Sequence, residues 1–200
     1  MVQKISLNPT IIDNWYSKDE LKNIFQELDY YTHYNKLHTS KGEIATDKNG
    51  NEIGSSFRIP LDAIYTEAGR KVSSILKGRE KLFNQPFYEK VLKLNPMYRT
   101  FPDTTRDFCF ISYYEDNHFY DSHPDKASFS ILIWLYKEPK KFNGGDLFFK
   151  DLDLTIECKN NRLVIFPGFL YHKVTPVKMK KGFKIGDGRY TITHFIHHDN

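Results

Sequence analysis

From Phe108 to the C-terminus, apolar and polar positions alternate in short runs that end in turn residues, a texture unlike that of the first hundred residues. The runs Phe108 to Tyr114, Tyr120 to Ser122, Phe129 to Tyr136, Asp146 to Phe149, Leu154 to Cys158, Arg162 to Phe166, His172 to Val174 and Tyr190 to Ile196 are rich in β-branched and aromatic residues, so they predict strands. Asn143-Gly144-Gly145, Asn160-Asn161 and Pro167-Gly168 supply turns between them. Seven or eight strands so closely spaced predict a sandwich or barrel. A double-sheet jelly roll is one standard solution, with its site in the mouth between the sheets.

Upstream the period lengthens to that of helices. Ser17 and Glu20 form a capping box ahead of Leu21, Ile24, Phe25 and Leu28, predicting an amphipathic helix that packs on the sheet. Pro60 reads as a first helical residue before Leu61, Ile64, Tyr65, Ala68, Val72, Ile75 and Leu76, one face of a helix ending near Gly78. A third helix runs around Phe83 to Leu94 and stops before Pro96. Thr39 to Ser56, rich in Gly, Asn, Lys and Ser, predicts an exposed loop. The class is therefore mainly β with N-terminal helices (α+β), in a single domain. Residues 1–105 form a mainly helical support and residues 106–200 a strand-built core, with no repeat, low-complexity tract or linker to divide them.

Composition narrows the alternatives. At 40% hydrophobic and 16% aromatic, 200 residues can bury one sizeable core. No apolar run approaches the roughly 20 residues that span a bilayer. Met1 to Asn8 lacks the apolar region of a secretory signal, so a cytoplasmic protein without a membrane partner is expected. Cys109 and Cys158 sit in apolar or alternating runs and predict buried thiols rather than a disulfide scaffold. The net charge of +4 is mild. Lys140, Lys141, Lys178, Lys180, Lys181 and Lys184 read as solvated surface, with no RNA-binding motif or zinc-finger spacing beside them.

Candidate chemistry lies in the strand-rich half. His123 and Asp125, two residues apart, project from one face of an extended segment, and His172 opens another predicted strand. Two imidazoles and one carboxylate on one face of an octahedral ion leave three positions open, the arrangement of non-haem iron(II) oxygenases. Zinc could use the same side chains, although the helical His-Glu-x-x-His of many zinc enzymes is absent. Iron, zinc and no metal all remain open on residue chemistry alone. His118, His194, His197 and His198 have no such company and read as surface or partly buried residues.

Four blocks, in order, carry a resemblance. Tyr114-Glu115-Asp116-Asn117-His118-Phe119-Tyr120-Asp121-Ser122-His123-Pro124-Asp125 resembles the segment of prolyl 4-hydroxylase-type 2-oxoglutarate and iron(II)-dependent dioxygenases in which two tyrosines precede a His-x-Asp pair. Asn117 replaces the usual Gly, a mild departure because Asn tolerates positive φ. Phe142 to Phe149 is similar to the family's Gly-Gly turn into a strand. Arg162 to Val177 is similar to its distal-His segment, and Gly188 to Phe195 to the closing strand whose Arg binds the cosubstrate.

The resemblance implies a double-stranded β-helix (jelly roll, cupin-like) enzyme and assigns roles. His123, Asp125 and His172 would hold Fe(2+), and Arg189 the far carboxylate of 2-oxoglutarate. Thr193 and Tyr114 would support that cosubstrate, Tyr120 would line the substrate pocket, and no catalytic residue is implied beyond the metal site. Trp134 stands where many relatives place a Tyr, and its indole can donate one hydrogen bond. The gap from His172 to Arg189 is longer than usual, with the Lys178 to Gly188 stretch as an insertion. Lys178 and Lys184 make poorer anchors because neither opens a strand of alternating apolar residues. The implied reaction consumes O2 and 2-oxoglutarate and hydroxylates a C–H bond, with ascorbate as a supporting reductant. Peptidyl proline leads as substrate, with other protein, nucleic-acid and small-molecule substrates open. The alternative is a non-catalytic jelly-roll module binding a peptide, carbohydrate or nucleic acid.

Overall fold

The computed structural model describes residues 7–33, 43–46 and 48–198. Met1 to Ser6, and Thr39 to Gly42 of the expected loop, lie outside the described residues. In chain order the first elements are strand β1 (Thr10–Asp13), helix α1 (Lys18–His33), strands β2 (Glu43–Thr46) and β3 (Glu52–Pro60), and helices α2 (Leu61–Ile64), α3 (Ser74–Gly78) and α4 (Gln85–Leu94). Strands β4 (Arg106–Tyr114), β5 (Tyr120–His123), β6 (Phe129–Leu135), β7 (Phe142–Asn143), β8 (Leu147–Phe149) and β9 (Leu154–Ile156) follow. β10 (Arg162–Pro167), β11 (His172–Val174), β12 (Lys178–Met179) and β13 (Arg189–His197) complete the chain.

The strands make one curled antiparallel sheet in the order β1-β10-β6-β13-β4-β3-β5-β11-β8-β9, with β2 on β3 and a separate β7–β12 pair. β3 is the seam. It pairs with β4 from Phe57 opposite Tyr113 to Pro60 opposite Phe110, and touches β5 where Gly54 lies opposite Tyr120. Folding at this seam lays two layers face to face, and the architecture is a double-stranded β-helix.

Side-chain alternation sends the same strands into two cores. On β6, Phe129, Ile131, Ile133 and Leu135 join a cluster with Ile24 and Leu28 of α1 and Val91 of α4. Leu132 and Trp134 turn the other way, into a cluster between the layers with Phe149, Phe166 and Val174. The capping box of α1 is present as expected: the Ser17 amide donates to Glu20 Oε2 at 2.7 Å and the Glu20 amide to Ser17 Oγ at 3.3 Å. Cys109 and Cys158 are free and buried.

Two expectations are corrected. The single helix from Pro60 to Gly78 is broken: Pro60 ends β3, α2 stops at an extended Tyr65, and α3 begins afresh after Ser73. Its apolar positions do not share one face, since Leu61, Ile75 and Leu76 are buried whereas Ile64 and Val72 are 53% and 72% exposed. The Thr39 to Ser56 stretch is not simply a loop, because it contains β2 and the first half of β3. Its Gly has a packing cause: a Cβ on Gly54 would stand 2.3 Å from the Tyr120 ring.

Candidate metal centre and cosubstrate pocket

The two histidines of the expected triad meet as cross-strand partners, His123 at the end of β5 opposite His172 at the start of β11. Asp125 is set by the backbone and by a third strand: its amide donates to the Gly168 carbonyl at 2.8 Å, and its Oδ2 accepts from Ser130 Oγ of β6 at 2.5 Å. Gly168 must lack a side chain, because a Cβ there would lie 2.1 Å from the Ala127 oxygen. The three ligand atoms all lie within 4.8 Å of one another, with Nε2 of His123 and His172 at 3.7 and 3.5 Å from the Asp125 carboxylate.

The imidazoles are oriented from behind. Nδ1 of His123 lies 2.6 Å from the Asp121 carbonyl and Nδ1 of His172 lies 2.8 Å from that of Leu170. A carbonyl only accepts, so Nδ1 carries the proton and Nε2 turns its lone pair toward Asp125, the state that binds a metal. Burial lowers the pKa of His123 and the neighbouring His172 lowers it further, which favours that neutral form. Tyr120 stacks on His123 at 3.8 Å between ring centroids, and Phe166 and Phe149 flank His172 at 4.8 and 5.9 Å.

Beside the triad lies a cluster of buried hydrogen-bond donors. Arg189 is fully buried, and its Nη1 donates to Thr191 Oγ1 at 2.6 Å. Its Nε and Nη2, and Nε1 of the equally buried Trp134, have no hydrogen-bond partner among the described residues. The guanidinium carbon sits 4.9 Å from the Tyr114 ring centroid and 5.4 Å from that of Trp134. Three donors held in an apolar wall suit a carboxylate. The hydroxyl that meets Arg189 belongs to Thr191, whereas Thr193 lines the same pocket one pleat further on.

The long approach to Arg189 is stitched to the sheet, since the Tyr113 hydroxyl accepts from the Gly186 and Gly188 amides at 2.7 and 3.1 Å. Lys178 is exposed and bonds Asn117, and Lys184 is exposed, so neither faces the pocket. Asn117 adopts φ +64°, the positive value its place in the motif implies. His194 is a correction: it is fully buried, with Nδ1 3.2 Å from both Asp107 oxygens and Nε2 3.9 Å from the Cys109 sulfur. It alternates to the helix-facing side of β13, where a carboxylate from β4 receives it.

Residues 109–197 match the family model of the 2OG-Fe(II) oxygenase superfamily. This segment is therefore similar to a 2OG-Fe(II) oxygenase domain. The whole chain is similar in fold to a Pseudomonas putida prolyl-4-hydroxylase, at 16% identity and TM-score 0.55 over 96% of this chain and 93% of that one. It is likewise similar to the collagen prolyl hydroxylase of Paramecium Bursaria Chlorella virus-1, at 13% identity and TM-score 0.58 over 96% of both chains. A 2OG-Fe(II) oxygenase family oxidoreductase from Burkholderia pseudomallei gives 13% and 0.57 over 96% of this chain and 86% of that one. No curated protein sequence matches the chain. The chain thus shares the fold of prolyl 4-hydroxylases, and its segment 109–197 is similar to 2OG-Fe(II) oxygenases.

Some pocket residues escaped the sequence reading. Arg58 of β3, Ser112, Thr191 and Ser130 carry no motif, and Gly145 read only as a turn residue although a Cβ there would stand 2.7 Å from Arg189 Cδ. The alternation of β13 around Arg189 was the one signal that pointed to Thr191.

Proposed function

We propose that the protein is a 2-oxoglutarate-dependent dioxygenase that hydroxylates a C–H bond of a peptidyl proline, releasing succinate and carbon dioxide, with His123, Asp125 and His172 holding iron(II). The supporting observation is the convergence, in one pocket, of three ligand atoms within 4.8 Å and of Arg189, whose buried Nε and Nη2, like Nε1 of the neighbouring Trp134, have no acceptor among the described residues. Leaving such donors empty costs on the order of 1–3 kcal/mol each, so the fold is built for a ligand that fills them. Iron(II) chelated by 2-oxoglutarate would supply oxygen activation, decarboxylation of the cosubstrate and insertion of one oxygen atom into the C–H bond.

The chain's own residues position and exclude. Ser130 fixes the Asp125 carboxylate and the Gly168 carbonyl its backbone amide, and the Asp121 and Leu170 carbonyls fix the two imidazoles. Arg189 takes the far carboxylate, with Trp134 as a further donor and with Tyr114 and Thr193 as walls. Leu132, Val174 and the aromatic rings keep water from the reacting face. Tyr120 shapes the substrate side. The reading is of a cytoplasmic enzyme, supported by its two free buried thiols. Among the described residues no helix is long and apolar enough to cross a membrane.

Turnover of 2-oxoglutarate to succinate with iron(II) and ascorbate tests the metal site: it should proceed slowly without substrate and vanish in His172→Ala. Undiminished turnover in that variant removes the iron assignment. Arg189→Ala should raise the 2-oxoglutarate requirement by roughly two orders of magnitude, the loss of a charge-assisted bidentate pair. A product-mass screen over proline-containing peptides tests the substrate; no peptide gaining one oxygen would set proline aside.

A further inference from the structure

The chain reaches Arg189 through a stretch whose last residues are held from behind the sheet. Residues 180–188 separate β12 from β13, and Lys181 to Ile185 are exposed. The chain then drops into the fold: Gly186 and Gly188 are buried, and Arg189 follows as the first residue of β13. A single atom receives this descent. The Tyr113 hydroxyl accepts from the Gly186 amide at 2.7 Å and from the Gly188 amide at 3.1 Å.

Tyr113 lies on β4 opposite Tyr190, one residue from the pair of Tyr114 and Arg189, so its side chain leaves the sheet on the face away from the pocket. There it is fully buried in the cluster that includes Ile24 and Leu28 of α1. Its ring is fixed by Tyr190 at 4.6 Å and Phe57 at 6.4 Å between centroids. Burial raises its pKa, so the phenol stays neutral and its oxygen accepts. Space confines the backbone that it holds. Gly186 has φ +89°, and a Cβ on Gly188 would lie 2.3 Å from the Tyr114 carbonyl oxygen and 2.9 Å from the Tyr113 ring. Gly188 is thus wedged between the Tyr113 ring and the backbone of Tyr114, whose own ring lies 4.9 Å from the Arg189 guanidinium carbon.

The guanidinium depends on this backbone for its aim. Thr191 holds Nη1, whereas Nε and Nη2 have no acceptor among the described residues. Where those two donors point is therefore set largely by where residue 189 begins its strand. We propose that Tyr113 is a positioning residue for the cosubstrate: its hydroxyl latches the two amides ahead of Arg189 and so holds the guanidinium where it meets the far carboxylate of 2-oxoglutarate. Tyr113 does not line the pocket and acts through Arg189. The latch also explains how a long Lys-rich approach leaves Arg189 in register, since whatever the exposed part does, the chain is reset at Gly186 and Gly188. By reciprocity, 2-oxoglutarate on Arg189 tightens the latch. The proposal rests on the assignment of Arg189 to 2-oxoglutarate.

The test is a double-mutant cycle on the full chain with zinc in the metal site. Wild type, Tyr113→Phe, Arg189→Ala and the double variant are compared for 2-oxoglutarate binding by calorimetry, and succinate release with iron(II) is followed in parallel. Tyr113→Phe keeps the ring and removes the acceptor. It should weaken 2-oxoglutarate binding about tenfold while leaving turnover at saturating 2-oxoglutarate unchanged. In the Arg189→Ala background it should weaken binding no further. A Tyr113→Phe protein that melts earlier yet binds 2-oxoglutarate as before, beside an Arg189→Ala protein that binds it weakly, reduces Tyr113 to a packing residue and overturns the proposal alone. An equal loss in both backgrounds overturns it too, because Tyr113 would not act through Arg189. If Arg189→Ala itself leaves binding unchanged, the cosubstrate assignment falls and the proposal falls with it. Should Tyr113→Phe fail to fold, the wild type decides: 2-oxoglutarate should slow hydrogen exchange of the Gly186 and Gly188 amides several-fold in the zinc form, and unaltered exchange there overturns the latch.

Discussion

Arg189 shows how a single residue records its ligand. A fully buried guanidinium with only one described side-chain acceptor is tolerated because its stem is locked, on one side by Tyr114 and Trp134 and on the other by Gly145. Gly145 has φ +72° and no room for a Cβ against Arg189 Cδ, so Gly145→Ala introduces both backbone strain and a steric push on the guanidinium. The expected outcome is a stability loss of about 1–3 kcal/mol together with a raised 2-oxoglutarate requirement, read by denaturant melts and by concentration dependence of succinate release. A stability loss with unaltered cosubstrate dependence would mean that Gly145 does not position Arg189. The meeting of His123, Asp125 and His172 was legible in the sequence because each falls in a block of fixed order, as does Arg189, whereas Trp134 lies between the blocks. Thr191, Gly145 and Arg58 were harder to find, since their roles depend on which side chains the curled sheet brings opposite them.

Helix α3 makes the same point for elements. Its first turn is capped twice: Ser73 Oγ accepts from the Leu76 amide at 3.1 Å, and the Glu27 carboxylate of α1 accepts from the Ile75 amide at 3.1 Å and from Ser73 Oγ at 2.7 Å. Glu27→Ala should therefore destabilise by about 1–2 kcal/mol through loss of a charged cap, with Glu27→Gln recovering part. Equal melts for all three proteins would show that α3 is held by its buried Ile75 and Leu76 alone. This long-range cap is why a continuous helix from Pro60 to Gly78 reads well locally yet does not form. Helix α1 was legible because its capping box lies within four residues, and the core strands because alternation is a local signal. β3 was hidden for the opposite reason. Its Gly54, Ser55 and Ser56 look like loop residues, but at the seam a small residue is required under the Tyr120 ring.

On the scale of the whole molecule, the helical layer and the sheet are joined by a buried charge network around His194. Asp107 of β4 receives His194 Nδ1 at 3.2 Å and Arg79, at the end of α3, at 3.3 Å; beside them Asp62 of α2 accepts the Cys109 amide at 2.5 Å and pairs with Arg70. Burial disfavours a charged imidazole, but the charges of Cys109 and Asp107 and the hydrogen bonds to both outweigh it and raise the His194 pKa well above 6.5. A folded-state pKa above the unfolded value means that the imidazolium stabilises the fold fully below pH 6.5, and that this contribution fades as pH climbs through the higher folded value. Melting temperature should accordingly fall on the alkaline side in the wild type. Asp107→Asn removes the partner of the buried His194 and of the partly buried Arg79, and should cost about 3 kcal/mol at low pH, or roughly 6–12 °C in a chain of this size. The variant's profile should then be flatter between pH 6.5 and the alkaline limit, because its His194 no longer gains a proton on folding. A variant that is destabilised yet keeps the wild-type slope would assign the pH dependence to another group. Since β13 carries His194 on one face and Arg189, Thr191 and Thr193 on the other, that comparison also asks whether the strand lining the pocket is held in place from behind.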